Sequence, residues 1–454
     1  MKVFGSSGTR GVANETLTPE FVLKVAKAAG TVWRAERVAV ARDTRATGRM
    51  LADAAASGLA SVGADVDRLG IIATPGAQAY AEREGVPVVM ITASHNPPEY
   101  NGVKLIGSDG VELAVEELER IEQKFLVEQF DDARWSETGE SRRVEGVHRA
   151  YVEGLLAAVD REKIADADLT VALDPGHGAG ALTSPEFFRK LGCRVVTANS
   201  QPDGHFPGRN PEPIPENLGD LGRLVEATDA DVGIAHDGDA DRAIFYDENG
   251  EYVEGDATLA ALAAAELEPG DSVVSAVNVS QRLVDVADEQ EAYLELTPIG
   301  STNIITRIVD LRDQGKSVPV AGEGNGGIFF PDYRLARDGA FTAARFLELL
   351  ADRPASEVVA PYDGYHNVRI NIPYDGDAER KALLEAAERE ARNSDADTTT
   401  LDGYRIDYGD AWVLARPSGT EPMVRIYAEA RNEARAEELA TEMEGQLLAA
   451  KADV

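Results

Sequence analysis

The sequence is poor in cysteine and lysine and contains no long apolar run. Its 454 residues include one cysteine, and 45 Lys plus Arg stand against 80 Asp plus Glu, for a net charge of −35. A single thiol excludes an internal disulfide and a multi-cysteine zinc site, so Cys193 is predicted to be a small buried residue. A chain this acidic repels a phosphate backbone, which excludes a general nucleic-acid binder and a protein of anionic membrane surfaces.

The excess of acidic residues predicts a solvated surface whose self-repulsion is weakened by salt. Only ten of the cations are Lys, and at 1 M salt the screening length falls to ~3 Å. A halophilic cytoplasm is our hypothesis for such a chain. The first residues lack the apolar core of a signal peptide, and the longest apolar tract, residues 259–265, is too short to span a bilayer. We therefore expect a cytoplasmic protein without a membrane or nucleic-acid partner. We also expect a monomer or homodimer, which these features do not determine.

The length and the apolar pattern predict several α/β domains. At ~150 residues per domain the chain holds about three, with two or four as alternatives. Short β-rich runs alternate with Ala-rich helical stretches, which is typical of α/β layers with mixed, largely parallel sheets. Three blocks end a buried strand in a Gly- or Asp-rich loop, and the fourth is predicted to be an α+β domain. The predicted boundaries are 1–146, 147–252, 253–357 and 358–454.

Two helices are predicted to begin at a hydroxyl residue that is followed by proline. Thr18 precedes Pro19, and Ser184 precedes Pro185. A hydroxyl oxygen accepts a hydrogen bond from the first turn of a helix, and proline is favoured at the first helical position. The sequence therefore predicts one helix capped by Thr18, running to about residue 29, and a second capped by Ser184.

Three aspartates on alternate residues follow the third strand of the second block: Asp237, Asp239 and Asp241. Their carboxylates converge only if the chain turns, because an extended strand would set them in a line. Convergent hard oxygens favour Mg²⁺ or Ca²⁺. An EF-hand is the rival, with Glu248 at the twelfth position, but the sixth is Arg242 instead of Gly and both flanks read as strands. A catalytic Mg²⁺ loop is predicted, and a solvated acidic turn is the remaining alternative.

Ser94 lies at the end of a predicted strand, where a hydroxyl can be held rigidly beside a ligand and act as a nucleophile. Serine at a strand end is also a common turn former, so the position alone is weak evidence. No general base for a triad can be named from the sequence. The neighbouring His95 is predicted to shape the loop by hydrogen bonding.

The loop from Arg416 to Thr420 combines a guanidinium, two hydroxyls and a glycine, a set that suits a phosphate dianion. Arg425 lies just beyond this loop. An ordinary Pro-Ser-Gly turn between two strands is the alternative. The Gly-rich stretch 174–180 does not predict dinucleotide binding, because Ala181 stands where the third glycine of G-x-G-x-x-G belongs.

Five motifs together resemble the α-D-phosphohexomutase family, and the resemblance covers the whole chain. They occur in the order of the family: Gly5-Ser-Ser-Gly-Thr-Arg-Gly11, Thr92-Ala-Ser-His-Asn-Pro97 with Tyr100-Asn-Gly-Val-Lys104, Asp237-Gly-Asp-Ala-Asp-Arg242, Gly322-Glu-Gly-Asn-Gly326 and Arg416-Pro-Ser-Gly-Thr420. Within the family, residues 12–21 and 323–327 look most like the archaeal phosphoglucosamine mutases.

The resemblance implies a four-domain enzyme whose nucleophile, Ser94, carries a phosphate. One Mg²⁺ per chain would be held by the Ser94 phosphate and by the three aspartates. Arg10 and Lys104 would assist proton transfer. The implied substrate-binding residues are His95, Arg242, Gly300, Glu323, Asn325, Arg416, Ser418, Gly419, Thr420 and Arg425. Among them, Glu323 and Asn325 would contact sugar hydroxyls, and the loop from Arg416 to Thr420 would hold the phosphate that does not react.

The implied reaction is the reversible conversion of a hexosamine 6-phosphate, expected to be glucosamine 6-phosphate, to the 1-phosphate, with a hexose 1,6-bisphosphate as activator. Glucose or mannose phosphate is the nearest alternative substrate, and a Mg²⁺-dependent sugar phosphatase or an inactive sugar-phosphate sensor is a more distant reading. Two positions depart from the family pattern: Asn325 replaces a common Ser, and Gly327 replaces a His that handles protons in many relatives. The general base is therefore not assigned.

Overall fold

The computed structural model describes residues 4–5, 8–418 and 422–452. The chain divides into two compact units, one formed by residues 1–258 and 325–359 and the other by residues 259–324 and 360–454. Among the described residues, no helix is both long enough and apolar enough to cross a bilayer.

The first sheet belongs to the first unit and has six strands in the order β1-β5-β4-β2-β3-β6. Its segment contains β1 (Thr9–Val12), α1 (Pro19–Trp33), β2 (Arg37–Arg42), α2 (Gly48–Ser61), β3 (Asp65–Ile71), α3 (Thr74–Glu84), β4 (Val88–Ile91), β5 (Tyr100–Ile106), α4 (Val115–Leu126) and β6 (Ser141–Arg143). The strands β4, β2, β3 and β6 are parallel, whereas β5 runs antiparallel to both β4 and β1. The chain leaves the buried strand β4 directly toward Ser94.

The second sheet, also in the first unit, has five strands in the order β11-β10-β9-β7-β8. Its segment contains α5 (Val147–Ala157), α6 (Arg161–Asp166), β7 (Thr170–Asp174), a 3₁₀ turn (Ala179–Leu182), α7 (Ser184–Lys190), β8 (Arg194–Thr197), α8 (Pro215–Thr228), β9 (Val232–Ala235), β10 (Ile244–Tyr246) and β11 (Tyr252–Val253). Strands flank the aspartate loop on both sides, because β9 precedes it and the antiparallel β10 follows it. These flanks exclude the helix–loop–helix of an EF-hand.

The third stretch contributes to both units. It contains α9 (Gly255–Glu266), β12 (Ser272–Ala276), α10 (Gln281–Glu289), β13 (Tyr293–Thr297), α11 (Ser301–Asp313), β14 (Val320–Glu323), β15 (Gly327–Phe330), β16 (Arg334–Arg337), α12 (Gly339–Leu350) and α13 (Ala355–Val359). In the second unit, β12 lies between β13 and β14, and both pairings are parallel. In the first unit, β15 and β16 form an antiparallel pair, which the sequence pattern did not predict.

The last stretch is an antiparallel sheet covered by two helices. It contains a 3₁₀ turn (Ala360–Tyr362), β17 (His366–Pro373), α14 (Gly376–Asn393), β18 (Asp397–Thr399), β19 (Tyr404–Asp407), β20 (Ala411–Pro417), β21 (Met423–Ala430) and α15 (Glu433–Ala452). The strand order is β17-β21-β20-β19-β18, with every neighbouring pair antiparallel. The predicted α+β domain is therefore confirmed.

One predicted helix cap is confirmed and the other is wrong. Thr18 Oγ1 accepts a hydrogen bond from Phe21 N at 3.2 Å, although the helix runs to Trp33 instead of about residue 29. The second helix already includes Ser184, and its cap position is Thr183. Ser184 Oγ lies 3.1 Å from His236 Nε2, so a buried imidazole holds the hydroxyl that was expected to cap the helix.

The prediction for Cys193 is confirmed, since the residue is buried and 5% exposed. Burial raises the pKa of its thiol to about 12, so the thiol stays protonated at neutral pH. A protonated buried thiol is unreactive, which fits a packing role.

Candidate active site

The Ser94 hydroxyl is held at the end of β4 in an unusual backbone conformation. Ser94 is 1% exposed and has a φ of +52°, in the left-handed region that L-residues seldom adopt. Its backbone N–H donates to Thr92 Oγ1 at 2.9 Å. Its Oγ donates to Asp237 Oδ2 at 2.7 Å and lies 3.4 Å from His95 Nδ1. The turn therefore directs the hydroxyl at the aspartate loop of the second sheet.

The three aspartates converge, as the alternate spacing predicted. All three are buried, and one carboxylate oxygen of each lies within 4.8 Å of the others. The chain turns between β9 and β10 with a positive φ of 57° at Ala240, which brings alternate side chains to one point. Within the described parts of the chain, this is the one group of three or more potential metal-ligating residues.

Each aspartate has one carboxylate oxygen that accepts hydrogen bonds from the described part of the protein and one that accepts none. The Oδ2 atom of Asp239 accepts from Thr74 Oγ1 at 2.6 Å and from Lys104 Nζ at 3.0 Å. The Oδ2 atom of Asp241 accepts from Lys104 at 3.1 Å and from Arg337 at 2.6 Å. The remaining oxygen, Oδ1, is buried in all three aspartates and has no hydrogen-bond donor among the described residues.

This donor set fits a divalent cation. A buried carboxylate oxygen without a donor carries a large desolvation cost, which a bound cation offsets. Three buried carboxylates that each bring an oxygen within 4.8 Å of the others offer the hard ligands that Mg²⁺ takes in proteins. The second oxygens, held by Ser94, Thr74, Lys104 and Arg337, fix the orientation of the ligands in the way outer-shell partners do.

The surroundings shift the pKa values of two of the aspartates in opposite directions. Burial, followed by the charges of Asp241 and Asp239, raises the pKa of Asp237. Burial also acts on Asp241, but the nearby charges of Arg337, Lys104 and Arg242 outweigh it and lower its pKa. The pKa of Asp237 is thus raised by burial and by two neighbouring carboxylates, and a cation at this position would stabilise its ionised form.

Positive side chains surround the cluster. Burial opposes a charge on Lys104, but Asp239 and Asp241 raise the pKa of its ammonium, so the group stays protonated. Arg242 Nε lies 3.8 Å from Asp237 Oδ2 and 3.8 Å from Asp241 Oδ1. Arg10 donates to Asn96 Oδ1 at 2.8 Å. Strand β1 carries Arg10 and pairs with β5, which carries Lys104, so the sheet brings both cations to the Ser94 turn.

His95 is a neutral ring in this arrangement. Burial, and then the charges of Arg242 and Arg10, lower its pKa to about 2. At neutral pH it is therefore not an imidazolium and does not serve as an acid. His236, a second buried histidine, has a pKa of about 4, lowered mainly by burial. Its Nδ1 lies 2.8 Å from Arg242 O, which gives it a structural role at the base of the aspartate loop.

The sugar-loop residues are divided between the two units. Glu323 ends β14 in the second unit, whereas Asn325 begins the segment that returns to the first unit. Asn325 Oδ1 accepts from Gly327 N at 3.0 Å, and Gly326 has a positive φ of 85°. Gly300 also has a positive φ, 127°, and precedes α11 in the second unit. Asn325 therefore shapes its own turn.

The second unit gathers the predicted phosphate residues that the structure describes. Arg416 and Arg425 face each other across β20 and β21. Arg416 Nη2 lies 3.0 Å from Asp402 Oδ2, and the same oxygen accepts from Ile299 N at 3.1 Å, next to Gly300. Ser418 N donates to Met423 O at 2.8 Å. Gly419 and Thr420 lie outside the described residues.

Two cross-strand arginines indicate an anion site. Like charges directly opposite each other destabilise an antiparallel pair. The Nε atoms of both guanidinium groups are buried and have no hydrogen-bond acceptor among the described residues. A phosphate dianion between the strands would remove the repulsion and use the planar donors of arginine.

Sequence reasoning missed two residues that contact the aspartates. Thr74 is 165 residues from Asp239 along the chain, and Arg337 is 96 residues from Asp241. The Thr-Pro pair at 74–75 could have predicted a helix start but not its contact, and nothing around Arg337 indicates its role. Both contacts come from the packing of distant segments.

The comparisons with known proteins agree along the whole chain. Models of the phosphoglucomutase/phosphomannomutase family match in four consecutive stretches: alpha/beta/alpha domain I over residues 1–132, domain II over 149–250, domain III over 254–365 and the C-terminal domain over 370–446. These matches confirm the predicted four-domain phosphohexomutase architecture.

Individual relatives point the same way. A phosphoglucomutase/phosphomannomutase of Thermococcus kodakarensis is 43% identical over 96% of this chain and 96% of its own. A probable phosphoglucosamine mutase of Methanopyrus kandleri is 41% identical over 97% of this chain and 96% of its own. The crystal structure of a phosphoglucomutase/phosphomannomutase family protein from Burkholderia thailandensis is 28% identical, with a TM-score of 0.86 over 99% of this chain and 98% of that one. The chain therefore belongs to the phosphoglucomutase/phosphomannomutase family.

Proposed function

We propose that the protein is a phosphohexomutase that interconverts glucosamine 6-phosphate and glucosamine 1-phosphate through a phosphoserine at Ser94. The observation that carries the proposal is the hydrogen bond of 2.7 Å from Ser94 Oγ to Asp237, inside a buried cluster of three carboxylates and one ammonium. The Ser94 hydroxyl differs from the buried hydroxyl of Thr74 because it sits on a turn with a left-handed backbone, beside His95 as well as Asp237. Phosphoryl transfer needs such positioning and charge compensation.

Ser94 exchanges a phosphoryl group with the sugar in both halves of the proposed cycle. The Oγ–P bond of phosphorylated Ser94 breaks as a new O–P bond forms to the free sugar hydroxyl, and over the whole step the proton of that hydroxyl passes to Ser94 Oγ. The resulting sugar bisphosphate turns over and returns its other phosphoryl group to Ser94 Oγ. A hexose 1,6-bisphosphate would therefore phosphorylate an enzyme that has lost its phosphate, and we propose it as the activator.

Mg²⁺ is the proposed metal, one per chain. It would be held by Asp237, Asp239 and Asp241 together with the phosphate on Ser94. When bound, it supplies positive charge that neutralises the transferring phosphoryl group. The donor-free Oδ1 atoms of the three aspartates support this assignment.

Four polar side chains near Ser94 are proposed to act on the substrate and the transferred phosphoryl group. Lys104, kept protonated between two carboxylates, offers a fixed positive charge, and with Arg10 it would assist proton transfer. Arg242 and His95 would contact the phosphorylated sugar. The neutral ring of His95 makes it a hydrogen-bonding partner and not an acid.

The second unit would grip the substrate. Arg416, Arg425, Ser418, Gly419 and Thr420 are proposed to bind the phosphate that does not react, and the cross-strand arginine pair is the observation that favours this role. Glu323, Asn325 and Gly300 are proposed to contact the sugar. Fixing the distal phosphate restricts the orientation of the free sugar hydroxyl, which is how remote binding raises a rate.

Glucosamine phosphate is favoured by the name of the Methanopyrus relative, and glucose or mannose phosphate by that of the Thermococcus relative. One assay separates these substrates and also tests a phosphatase. Purified protein is mixed with Mg²⁺, trace hexose 1,6-bisphosphate and each of glucosamine, glucose and mannose 6-phosphate, and the 1-phosphate and free phosphate are measured. We expect 1-phosphate from glucosamine 6-phosphate at the highest kcat/KM. Release of free phosphate alone would establish a phosphatase, and no product from any sugar would favour a sensor.

A further inference from the structure

Arg45 is a fully buried arginine behind the Ser94 turn. It has no exposed surface, and its Nε donates to Asp43 Oδ2 at 3.1 Å. Its two terminal nitrogens donate to four carbonyl oxygens of one turn: Ser94 O at 2.9 Å, Asn96 O at 2.5 Å, Pro97 O at 2.6 Å and Tyr100 O at 2.9 Å. Arginine has five N–H groups, and all five are used here.

Asp43 connects the same guanidinium to the other side of the turn. Its Oδ2 accepts from Thr92 Oγ1 at 2.7 Å, and Thr92 Oγ1 accepts from Ser94 N at 2.9 Å. Asp43 Oδ1 accepts from the backbone N–H of Arg45 at 2.9 Å. Hydrogen bonds therefore hold the segment from Thr92 to Tyr100 at both ends. Arg45 bonds directly to carbonyl oxygens of the segment, and through Asp43 it is connected to Thr92 Oγ1.

The conformation of Ser94 explains why such a clamp is needed. Its φ of +52° is a state that an L-residue keeps only when its surroundings enforce it. Three of the five bonds from the Arg45 side chain go to carbonyl oxygens of this turn, and a fourth goes to Tyr100, where the turn ends and β5 begins. A nucleophile displaced by about 1 Å loses on the order of 100-fold in rate. A residue that fixes the position of the Ser94 hydroxyl therefore has a large effect on the rate.

Residues of the second sheet's segment contact Arg45 and the Ser94 turn from the opposite side. The ring of Phe206 lies 5.3 Å from the guanidinium carbon of Arg45, and Gly204 pairs with Arg45 through the backbone. A Cβ on Gly204 would lie 2.3 Å from Ala46 N, and one on Gly238, in the aspartate loop, would lie 2.6 Å from Ser94 O. Only glycine fits at these two contacts, so the Ser94 turn is enclosed between Arg45 and the aspartate loop.

We propose that Arg45 is a positioning residue for the nucleophile: it fixes the Ser94 turn, with Phe206 as its support, without contacting substrate or metal. The proposal rests on the proposed function insofar as it concerns rate. Lysine would not replace Arg45, because its ammonium has three donors on a point charge and lacks the planar set that reaches four carbonyls. The expected signature is a lower kcat with nearly unchanged substrate and metal affinity.

The test compares Arg45→Lys with a matched control, Val38→Ala, which removes fully buried apolar atoms from β2 of the same sheet. Turnover of glucosamine 6-phosphate, Mn²⁺ affinity by titration calorimetry and melting temperature are measured for both variants. We expect kcat of Arg45→Lys to fall at least ~100-fold, with KM and Mn²⁺ affinity within about 3-fold of wild type. The control should lose melting temperature and keep its kcat. A kcat for Arg45→Lys within about 5-fold of wild type, or equal losses of kcat in both variants at matched melting temperature, would overturn the proposal.

Two further measurements keep the test decisive. Hydrogen–deuterium exchange of the peptide that contains residues 94–101 should quicken at least ~10-fold in Arg45→Lys and stay unchanged in Val38→Ala, whichever sugar is the substrate. Unchanged exchange there would refute the clamp even for a protein without mutase activity. If Arg45→Lys does not fold, Phe206→Leu replaces it. This variant should lower kcat about 5-fold at constant KM, and a wild-type kcat would contradict the proposal. Failure of the wild type in the sugar assay would instead refute the proposed function.

Discussion

The Ser94–aspartate cluster of the first unit and the Arg416–Arg425 pair of the second unit handle charge in opposite ways. In the first, cations and carboxylates are buried together, and Lys104 is 3.0 Å and 3.1 Å from two aspartates. In the second, two guanidinium groups oppose each other on neighbouring strands, and Arg416 Nη2 lies 3.0 Å from Asp402 Oδ2. The first region is organised by its own charges, whereas in the second the buried Nε atoms of both arginines have no hydrogen-bond acceptor among the described residues.

This difference separates two tasks of a phosphoryl-transfer enzyme. A buried, internally bonded cluster has little freedom to move, which suits the atoms that make and break bonds. A pair of like charges at a strand end gains most when ligand binds, which suits substrate capture. Mutations in the first region should therefore act on kcat, and mutations in the second on KM.

The largest expected effect is that of Ser94→Ala, because a methyl group cannot accept a phosphoryl group. Mutase activity should fall below ~0.1% of wild type, while the melting temperature changes little. Intact-mass spectrometry should show a phosphate on the wild type that the variant lacks. Ser57→Ala, which removes a hydroxyl bonded only within α2, is the control. Residual activity of more than a few per cent in a preparation free of other mutases would rule out Ser94 as the nucleophile.

The next effect tests whether the aspartate cluster is a metal site. Asp239→Asn should lower kcat by ~100-fold or more and shift the Mg²⁺ titration to higher concentration, because a neutral amide forfeits charge facing a dication. Asp247→Asn is a matched control: Asp247 is also buried, but its oxygens accept bonds in the turn after β10. An Asp239→Asn variant with the Mg²⁺ response and kcat of wild type would leave the cluster as a structural charge network.

A smaller and different effect is expected in the second region. Arg416→Ala should raise KM for the sugar phosphate by ~10-fold to 100-fold, with a lesser loss in kcat from misalignment of the reacting hydroxyl. Arg369→Ala, an exposed arginine on β17 of the same sheet, should change neither. If KM stays constant in Arg416→Ala, the loop is an ordinary turn and the contrast between the two regions is lost.

The smallest expected effect is that of salt on the melting temperature, which depends on the acidic surface outside both regions. With a net charge of −35, self-repulsion should weaken as the screening length falls from ~10 Å at 0.1 M to ~3 Å at 1 M salt. Thermal melts between 0.1 and 3 M KCl at pH 7 should show the melting temperature rising by more than about 5 °C. An equal rise in osmolality-matched sucrose would assign the effect to solute exclusion, and a flat curve would remove the reason for inferring a halophilic source.

The sequence predicted most of the chemistry that lies in single loops. Alternation of aspartates between two apolar strands was enough to expect convergence at Asp237, Asp239 and Asp241. The strand end alone was weak evidence for Ser94, and the five motifs that resemble the family supplied the rest. The sequence failed for Ser184, where the capping rule was overridden by a buried partner, His236, 52 residues away. It also missed the β15–β16 pair, because these short strands carry no strong alternation.

By itself, the sequence determined the α/β plan, the loops that carry hydroxyls, carboxylates and guanidinium groups, and the acidic surface, because periodicity, turn chemistry and charge are properties of neighbouring residues. Only the tertiary structure decided which oxygen of each aspartate has no hydrogen-bond donor among the described residues, that Arg337 and Thr74 hold an oxygen of Asp241 and Asp239, and that Arg45 holds the Ser94 turn. The last of these contacts joins residues 49 apart and the one at Thr74 joins residues 165 apart. Such pairings depend on how whole sheets pack, and packing is a long-range property that no local pattern encodes.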